Sequence, residues 1–303
     1  MYKVLFIVLL FSLIHLPATK AQNVLQNKNK PLIIMVAQVG NDGWDKNNRG
    51  NFVPTSREEL IMESKKLIRY GASVIHIHPI SKYPAHKSVY MDYSTKNFTE
   101  IAKVIRESNP DICFDWCIEF AEDSLELFKK SLFNPYFGSM LEIVGDVQFE
   151  ETKINSRSIE VEIERFNIAY KRGVRLFPLI NSHDNVYNLQ LILSKAFVAD
   201  PLVAIFHFTG GEGIEANYDN FVKYRQLMPE AVKEVIIVCD GVDWRNTAEI
   251  AIRNGFHVRV GLHDSDEKIS NVEFVNFCVD RAIENGRPIA SPFQAKHLLG
   301  YLK

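Results

Sequence analysis

The segment Val74-Ile75-His76-Ile77-His78-Pro79 places two imidazoles two residues apart inside a run that otherwise reads as a buried strand. Successive strand side chains point to opposite sides, so His76 and His78 share one face while Ile75 and Ile77 pack on the other. A lone histidine on an apolar strand is more often a hydrogen-bonded core residue than a ligand. Two side by side need partners for four ring nitrogens, and a divalent metal satisfies one on each ring at once. Imidazole is a common zinc donor, so the pair reads as two metal ligands.

Other segments offer polar groups at the ends of apolar runs. Phe206-His207-Phe208-Thr209-Gly210-Gly211-Glu212 ends in a glycine loop, where the N–H groups of Gly210 and Gly211 could meet a carboxylate or phosphate; a plain tight turn is the competing reading. Asp240 and Glu119 each follow an apolar run and could bind an amine or exchange protons, although each alone reads equally as a solvated loop carboxylate. In His257-Val258-Arg259-Val260-Gly261-Leu262-His263-Asp264, the residues Arg259, Gly261 and His263 share one parity.

Stepping along the chain, eight strand-like runs alternate with eight helix-like stretches. The strands are expected at Leu32–Val39, Ser73–His78, Ile112–Ile118, Met140–Val144, Val174–Ile180, Leu202–Phe208, Val235–Cys239 and Phe256–Val260. The helices are expected at Thr55–Arg69, Thr95–Arg106, Ser124–Leu132, Ile159–Lys171, Asn185–Phe197, Tyr218–Leu227, Asn246–Asn254 and Asn271–Asn285. Thr55-Ser56-Arg57-Glu58 is a capping-box pattern, and Gly71, Gly173 and Gly255 sit where helices end.

Strands apolar on both faces and separated by helices predict an α/β protein with a parallel sheet, and eight such units predict a closed (βα)8 barrel of the TIM type. A doubly wound open sheet is the alternative. It would normally carry a glycine-rich turn after its first strand, and Val39-Gly40-Asn41-Asp42-Gly43 is not GxGxxG. Barrel closure brings the last strand beside the first and second, which makes His263 a candidate third metal ligand. Three protein ligands with a fourth position open is the catalytic pattern for zinc.

At 303 residues and a net charge of −2, the chain has the composition of an ordinary globular protein with no signal for a nucleic-acid partner. Residues 1–21 have the layout of a secretory signal peptide: Lys3, an apolar run from Val4 to Leu16, then Thr19 and Ala21 before a cut. That run is shorter than the roughly 20 residues needed to span a bilayer, so export without a membrane anchor is expected. A polar spacer at 22–30 and a single domain at 31–303 follow. The four cysteines lie in apolar segments; Cys113 and Cys117 are about 13 Å apart along a strand at roughly 3.3 Å per residue, so buried free thiols are expected there and at Cys239 and Cys278.

His76-Ile77-His78-Pro79, the 259–264 segment and Gly286-Arg287-Pro288-Ile289-Ala290-Ser291-Pro292 together resemble the β-keto acid cleavage enzymes, whose founding activity is 3-keto-5-aminohexanoate cleavage. The resemblance runs from about Pro31 to Gly300. It implies a metal-dependent, homo-oligomeric (βα)8 barrel, with Zn2+ or another divalent ion, that cleaves a β-keto acid with acetyl-CoA to give acetoacetate and a new CoA ester. By position, His76 and His78 would be the first two ligands, and Arg259 and Asp264 the pair that supplies a base. Such a metal would hold the carboxylate and ketone oxygens of the substrate and stabilise enolate charge.

This chain departs from the family pattern in four places. His263 stands where the family has a glutamate ligand, which raises the net charge of the site by one unit. Cys117-Ile118-Glu119-Phe120 replaces a Thr-Gly-Gly after the third strand, Pro178 aligns with an acidic residue, and Asp42 takes the place of a glutamate near the substrate amine. An export signal also sits awkwardly with cytoplasmic acetyl-CoA. Two further readings therefore accompany the first: an exported zinc hydrolase using the same histidines and Asp264 to activate water, and a binding protein that keeps the barrel without turnover.

Overall fold

The computed structural model describes residues 29–38, 53–54, 56–77, 96–117, 125–145, 147–150, 153–155, 158–208, 214–265 and 267–301. Residues 1–21, expected as a signal peptide, and His78, Asp42, Glu119, Gly210 and Gly211 lie outside the described residues. Ten strands are found among them: β1 (Ile34–Ala37), β2 (Val74–Ile77), β3 (Cys113–Cys117), β4 (Ser139–Ile143), β5 (Val147–Glu150), β6 (Lys153–Asn155), β7 (Arg175–Ile180), β8 (Leu202–Phe206), β9 (Val232–Val238) and β10 (His257–Val260). The helices are α1 (Arg57–Tyr70), α2 (Lys96–Ser108), α3 (Leu125–Ser131), α4 (Ile159–Arg172), α5 (His183–Leu193), α6 (Tyr218–Leu227), α7 (Trp244–Arg253), α8 (Asn271–Glu284) and α9 (Pro292–Leu298).

Eight strands close into a barrel in the order β1-β10-β9-β8-β7-β4-β3-β2, and every neighbouring pair is parallel. The eight-unit barrel expected from the alternation is thus present. Two elements add to it: an antiparallel β5–β6 hairpin between β4 and α4, and α9 after the last βα unit.

Alternation along each strand builds two cores. Ile33, Met35, Val74, Leu141, Phe177, Ile205 and Ile236 fill the barrel interior, whereas Ile34, Ile75, Phe114, Met140, Ala204 and Val258 face the helices. Side chains of this size contribute about 1.5–3 kcal/mol each when wholly removed from water, so the two-sided apolar strands commit the chain to a helix-covered barrel. Pro178, opposite Glu142, takes the outward parity with Leu176 and Ile180, so it does not line the lumen.

Helix starts follow from capping chemistry. Ser56 caps α1 by accepting the Glu59 N–H at 3.1 Å, and the Glu59 carboxylate accepts the Ser56 N–H, one residue later than the box expected at Thr55. Ser270 with Glu273 and Ser291 with Gln294 repeat the device for α8 and α9. Ala290, Ala295 and Leu299 belong to the interior cluster, so the segment carrying α9 closes the amino-terminal end of the barrel. At that end Arg287 donates to the carbonyls of Lys30, Ile252, Gly255 and Phe256. The Gly286–Pro292 motif is therefore structural. Cys113, Cys239 and Cys278 are free and buried.

Candidate metal centre and base

At the carboxyl-terminal mouth, inward parity gathers His76, Asp115, His207, Asp240, Arg259 and His263 onto strand ends, and the turn after Gly261 brings in Asp264, which strict alternation would place with the outward Val260 and Leu262. His76 lies on β2 in register with Ala37 of β1 and Asp115 of β3. Its side chain and that of Asp115 are wholly buried, and its Nδ1 lies 2.7 Å from Asp115 Oδ2. Burial pushes the Asp115 carboxyl up to about 7, against the opposing effects of a hydrogen bond from Ser139 and the positive charge of Arg259. As a carboxylate it accepts the Nδ1 proton of His76, which makes Nε2 the ring atom a cation would take. A carboxylate behind a histidine is the usual outer support of a metal-bound imidazole.

His263 follows β10 in a turn whose geometry is fixed by its neighbours. Its N–H donates to Ala37 O at 3.1 Å, and the preceding Leu262 N–H donates to Asn271 Oδ1 at 2.8 Å. Asn271 Nδ2 in turn donates to Gln38 O at 2.9 Å, which ties the ends of β1 and β10 to the start of α8. Gly261 makes the turn feasible. Its φ is +141°, and a Cβ there would collide with the Ala37 carbonyl.

The His76 and His263 rings stand with centroids 6.0 Å apart. With Zn–N bonds of about 2.0–2.1 Å, two imidazoles sharing a tetrahedral ion have centroids about 5 Å apart, so these rings are within a small side-chain adjustment of a common ion. Among the described residues no three His, Cys, Asp or Glu side chains form a metal-holding group by themselves. The remaining ligand of the expected trio, His78, is outside those residues. The chemistry of the donor set fits a divalent metal: the His76 imidazole held through Nδ1 by Asp115, with a second imidazole, His263, beside it.

Arg259 and Asp264 form the pair that the sequence pattern implied. Arg259 Nε lies 2.9 Å from Asp264 Oδ2 and its Nη2 lies 2.7 Å from Oδ1, a two-pronged contact between side chains each 5% exposed. Burial alone would raise the Asp264 carboxyl, but Arg259, then His263 and His207, outweigh it and hold it below the usual carboxylate range. It is therefore a carboxylate at neutral pH. Its Oδ1 lies 3.8 Å from His263 Nε2, which puts this carboxylate beside the His263 ring.

His207 and Asp240 complete the described part of the mouth. His207 Nε2 and Asp240 Oδ2 are 2.6 Å apart at the ends of β8 and β9, and both side chains keep contact with solvent. Asp240 is thus already engaged by an imidazole, and His207 takes the inward parity of Val203 and Ile205. Asp115, Ser139, Asn271 and Tyr301 were not among the sequence candidates. Asp115 had a readable signal: it shares the parity of Cys113 and Cys117 and is charged in an otherwise apolar strand.

A model described as beta-keto acid cleavage enzyme matches residues 31–301. A 3-keto-5-aminohexanoate cleavage enzyme of Acetoanaerobium sticklandii is 25% identical over 284 residues, covering 90% of this chain and 99% of its own. Another, from Fusobacterium nucleatum subsp. nucleatum, is 28% identical over 290 residues, covering 90% and 98%. Among solved structures, a ternary complex of ObcA with a C4-CoA adduct and oxalate aligns with a TM-score of 0.64 at 14% identity, over 82% of this chain and 67% of that one. At that identity the likeness is one of fold.

Proposed function

The chain belongs to the beta-keto acid cleavage enzyme family, and we propose on that basis that it cleaves a carbon–carbon bond of a small β-keto acid at the mouth of the barrel, with zinc as metal and acetyl-CoA as acceptor. The observation that carries this reading is the Asp264 carboxylate, gripped by Arg259 and lying 3.8 Å from His263. His76, His78 and His263 would hold the metal. When bound, it supplies Lewis-acid polarisation of the substrate's ketone and carboxylate oxygens.

The chain's own residues divide the remaining work. Asp264 removes a proton from the carbon between the two carbonyl groups, and Arg259 fixes the direction from which it does so. Because Arg259 also lowers its basicity, Asp264 can take that proton only from a carbon acidified by charge at the adjacent ketone. That limits the reaction to β-dicarbonyl acids. His207 and Asp240 form a polar wall on the β8–β9 side, where a distal group of the substrate would lie, with Asp42, Glu119 and the Gly210-Gly211 loop as further contacts.

A second reading is favoured by the leader pattern at residues 1–21. An exported enzyme would meet water rather than acetyl-CoA, and the same residues would then support hydrolysis. The test is product analysis on the purified chain with a panel of β-keto acids, with and without acetyl-CoA, alongside its metal content. Acetoacetate formed only with acetyl-CoA supports the acyl-transfer reading and eliminates hydrolysis. A stable wild-type protein that binds no metal under either condition would remove both.

A further inference from the structure

Resting on the reading of His76 as a metal ligand, we propose that Ser139 and Tyr301 are positioning residues for it, acting through Asp115 from the opposite end of the barrel. The register places His76, Asp115 and Ser139 side by side in one row across β2, β3 and β4. Ser139 is the first residue of β4 and wholly buried, and its hydroxyl donates to Asp115 Oδ1. Tyr301, just beyond α9, donates its phenol O–H to Ser139 Oγ. The row therefore runs from the closed amino-terminal end to the mouth.

Donor counting gives the row a single direction. Tyr301 has one proton to donate and Ser139 accepts it, so the one proton of Ser139 is turned toward Asp115. Asp115 then has one oxygen committed to Ser139 and the other to His76 Nδ1. The outcome is an imidazole whose tautomer and ring plane are set by groups that never touch the metal or the substrate. The seat of the phenol is built for it: the ring lies over Gly138, where a Cβ would overlap it, and packs near Phe177. Without the phenol proton, the Ser139 hydroxyl can rotate away, and the carboxylate loses the bond that orients it.

The test titrates Zn2+ into metal-free full-length protein in competition with a chromophoric chelator, for wild type, His76→Ala, Tyr301→Phe, Ser139→Ala, Asp115→Asn and the double variant Asp115→Asn/Tyr301→Phe. Tyr301→Phe keeps the ring and its packing. Tyr301→Phe and Ser139→Ala should each weaken zinc binding by about tenfold, and Asp115→Asn by about 10–100-fold. Adding Tyr301→Phe to Asp115→Asn should cost nothing further, because the phenol acts only through that carboxylate. Zinc affinity equal to wild type in Tyr301→Phe, with only the unfolding midpoint lowered, would overturn the proposal while leaving the metal reading intact. So would a full tenfold loss on top of Asp115→Asn. If wild type and His76→Ala bind zinc alike, the metal reading itself fails and the positioning role falls with it.

Discussion

Arg259 holds Asp264 through two parallel hydrogen bonds, 2.9 Å from Nε to Oδ2 and 2.7 Å from Nη2 to Oδ1, although only five residues separate them. A fork of this kind fixes the carboxylate plane, which a single ammonium cannot do. Arg259→Lys should therefore lower kcat about a hundredfold through misplacement of the base, while zinc stoichiometry stays at the wild-type value. Steady-state kinetics and metal analysis of the same preparation would check this; a kcat within a factor of three of wild type would show that orientation is not what Arg259 provides.

His263 gives this mouth one more unit of positive charge than a glutamate in the same place. A unit charge at about 4 Å is worth about 4 kcal/mol at an effective dielectric of about 20, so even strong screening leaves a measurable effect on a bound anion. His263→Glu should retain the metal and raise the Ki of a non-cleavable β-dicarbonyl acid by at least about tenfold. Inhibition titrations at two ionic strengths test it, and an unchanged Ki would mean that the substrate anion does not approach residue 263.

The turn that carries His263 depends on Asn271, which accepts the buried Leu262 N–H at 2.8 Å and donates to Gln38 O at 2.9 Å. Asn271→Ala removes the buried side-chain acceptor of that N–H, at a cost of about 1–3 kcal/mol. Denaturant unfolding should show this loss, and KM should rise as the 261–264 turn loosens. Loss of stability with KM unchanged would separate the clamp from the site.

Strand parity made much of the mouth legible in advance. The two-residue spacing in Arg259, Gly261 and His263 predicts one inward face, and the register of β10 against β1 and β9 places Arg259 among interior residues. Alternation that turns Cys113 inward turns Asp115 inward too. Parity says which face a residue takes, but not what stands opposite. Asp115 becomes a partner of His76 only once β2 and β3 are in register. Tyr301 is harder still, since its role needs the chain beyond α8 to fold back under the barrel. The β5–β6 hairpin is not legible in the sequence, because Val147–Glu150 and Lys153–Asn155 are too short for periodicity to stand out.

At the closed end of the barrel, His257 is wholly buried between two fixed partners. Its Nδ1 accepts the Ile33 N–H at 3.0 Å, so the ring proton sits on Nε2 and is donated to Glu234 at 3.1 Å. Burial, followed by the positive charges of Arg287 and Lys30, lowers the imidazole to about 4, although Glu234 opposes the shift. Burial alone would push the Glu234 carboxyl up, but hydrogen bonds from His257 and Lys30 outweigh it and hold it below its usual value. A histidine whose folded pKa lies below its ordinary 6.5 binds fewer protons folded than unfolded. Its contribution is therefore complete above about pH 6.5, declines as the pH falls, and is gone below about pH 4. A shift of that size corresponds to about 3 kcal/mol. The loss from Glu234 enters only at lower pH, below the usual carboxylate value. His257→Gln can keep an acceptor for Ile33 and a donor for Glu234 without titrating. The stability gap between wild type and His257→Gln, measured by denaturant unfolding, should shift by about 3 kcal/mol in favour of the variant between pH 7 and pH 4. Parallel pH profiles for the two proteins would show that His257 is not the group that titrates.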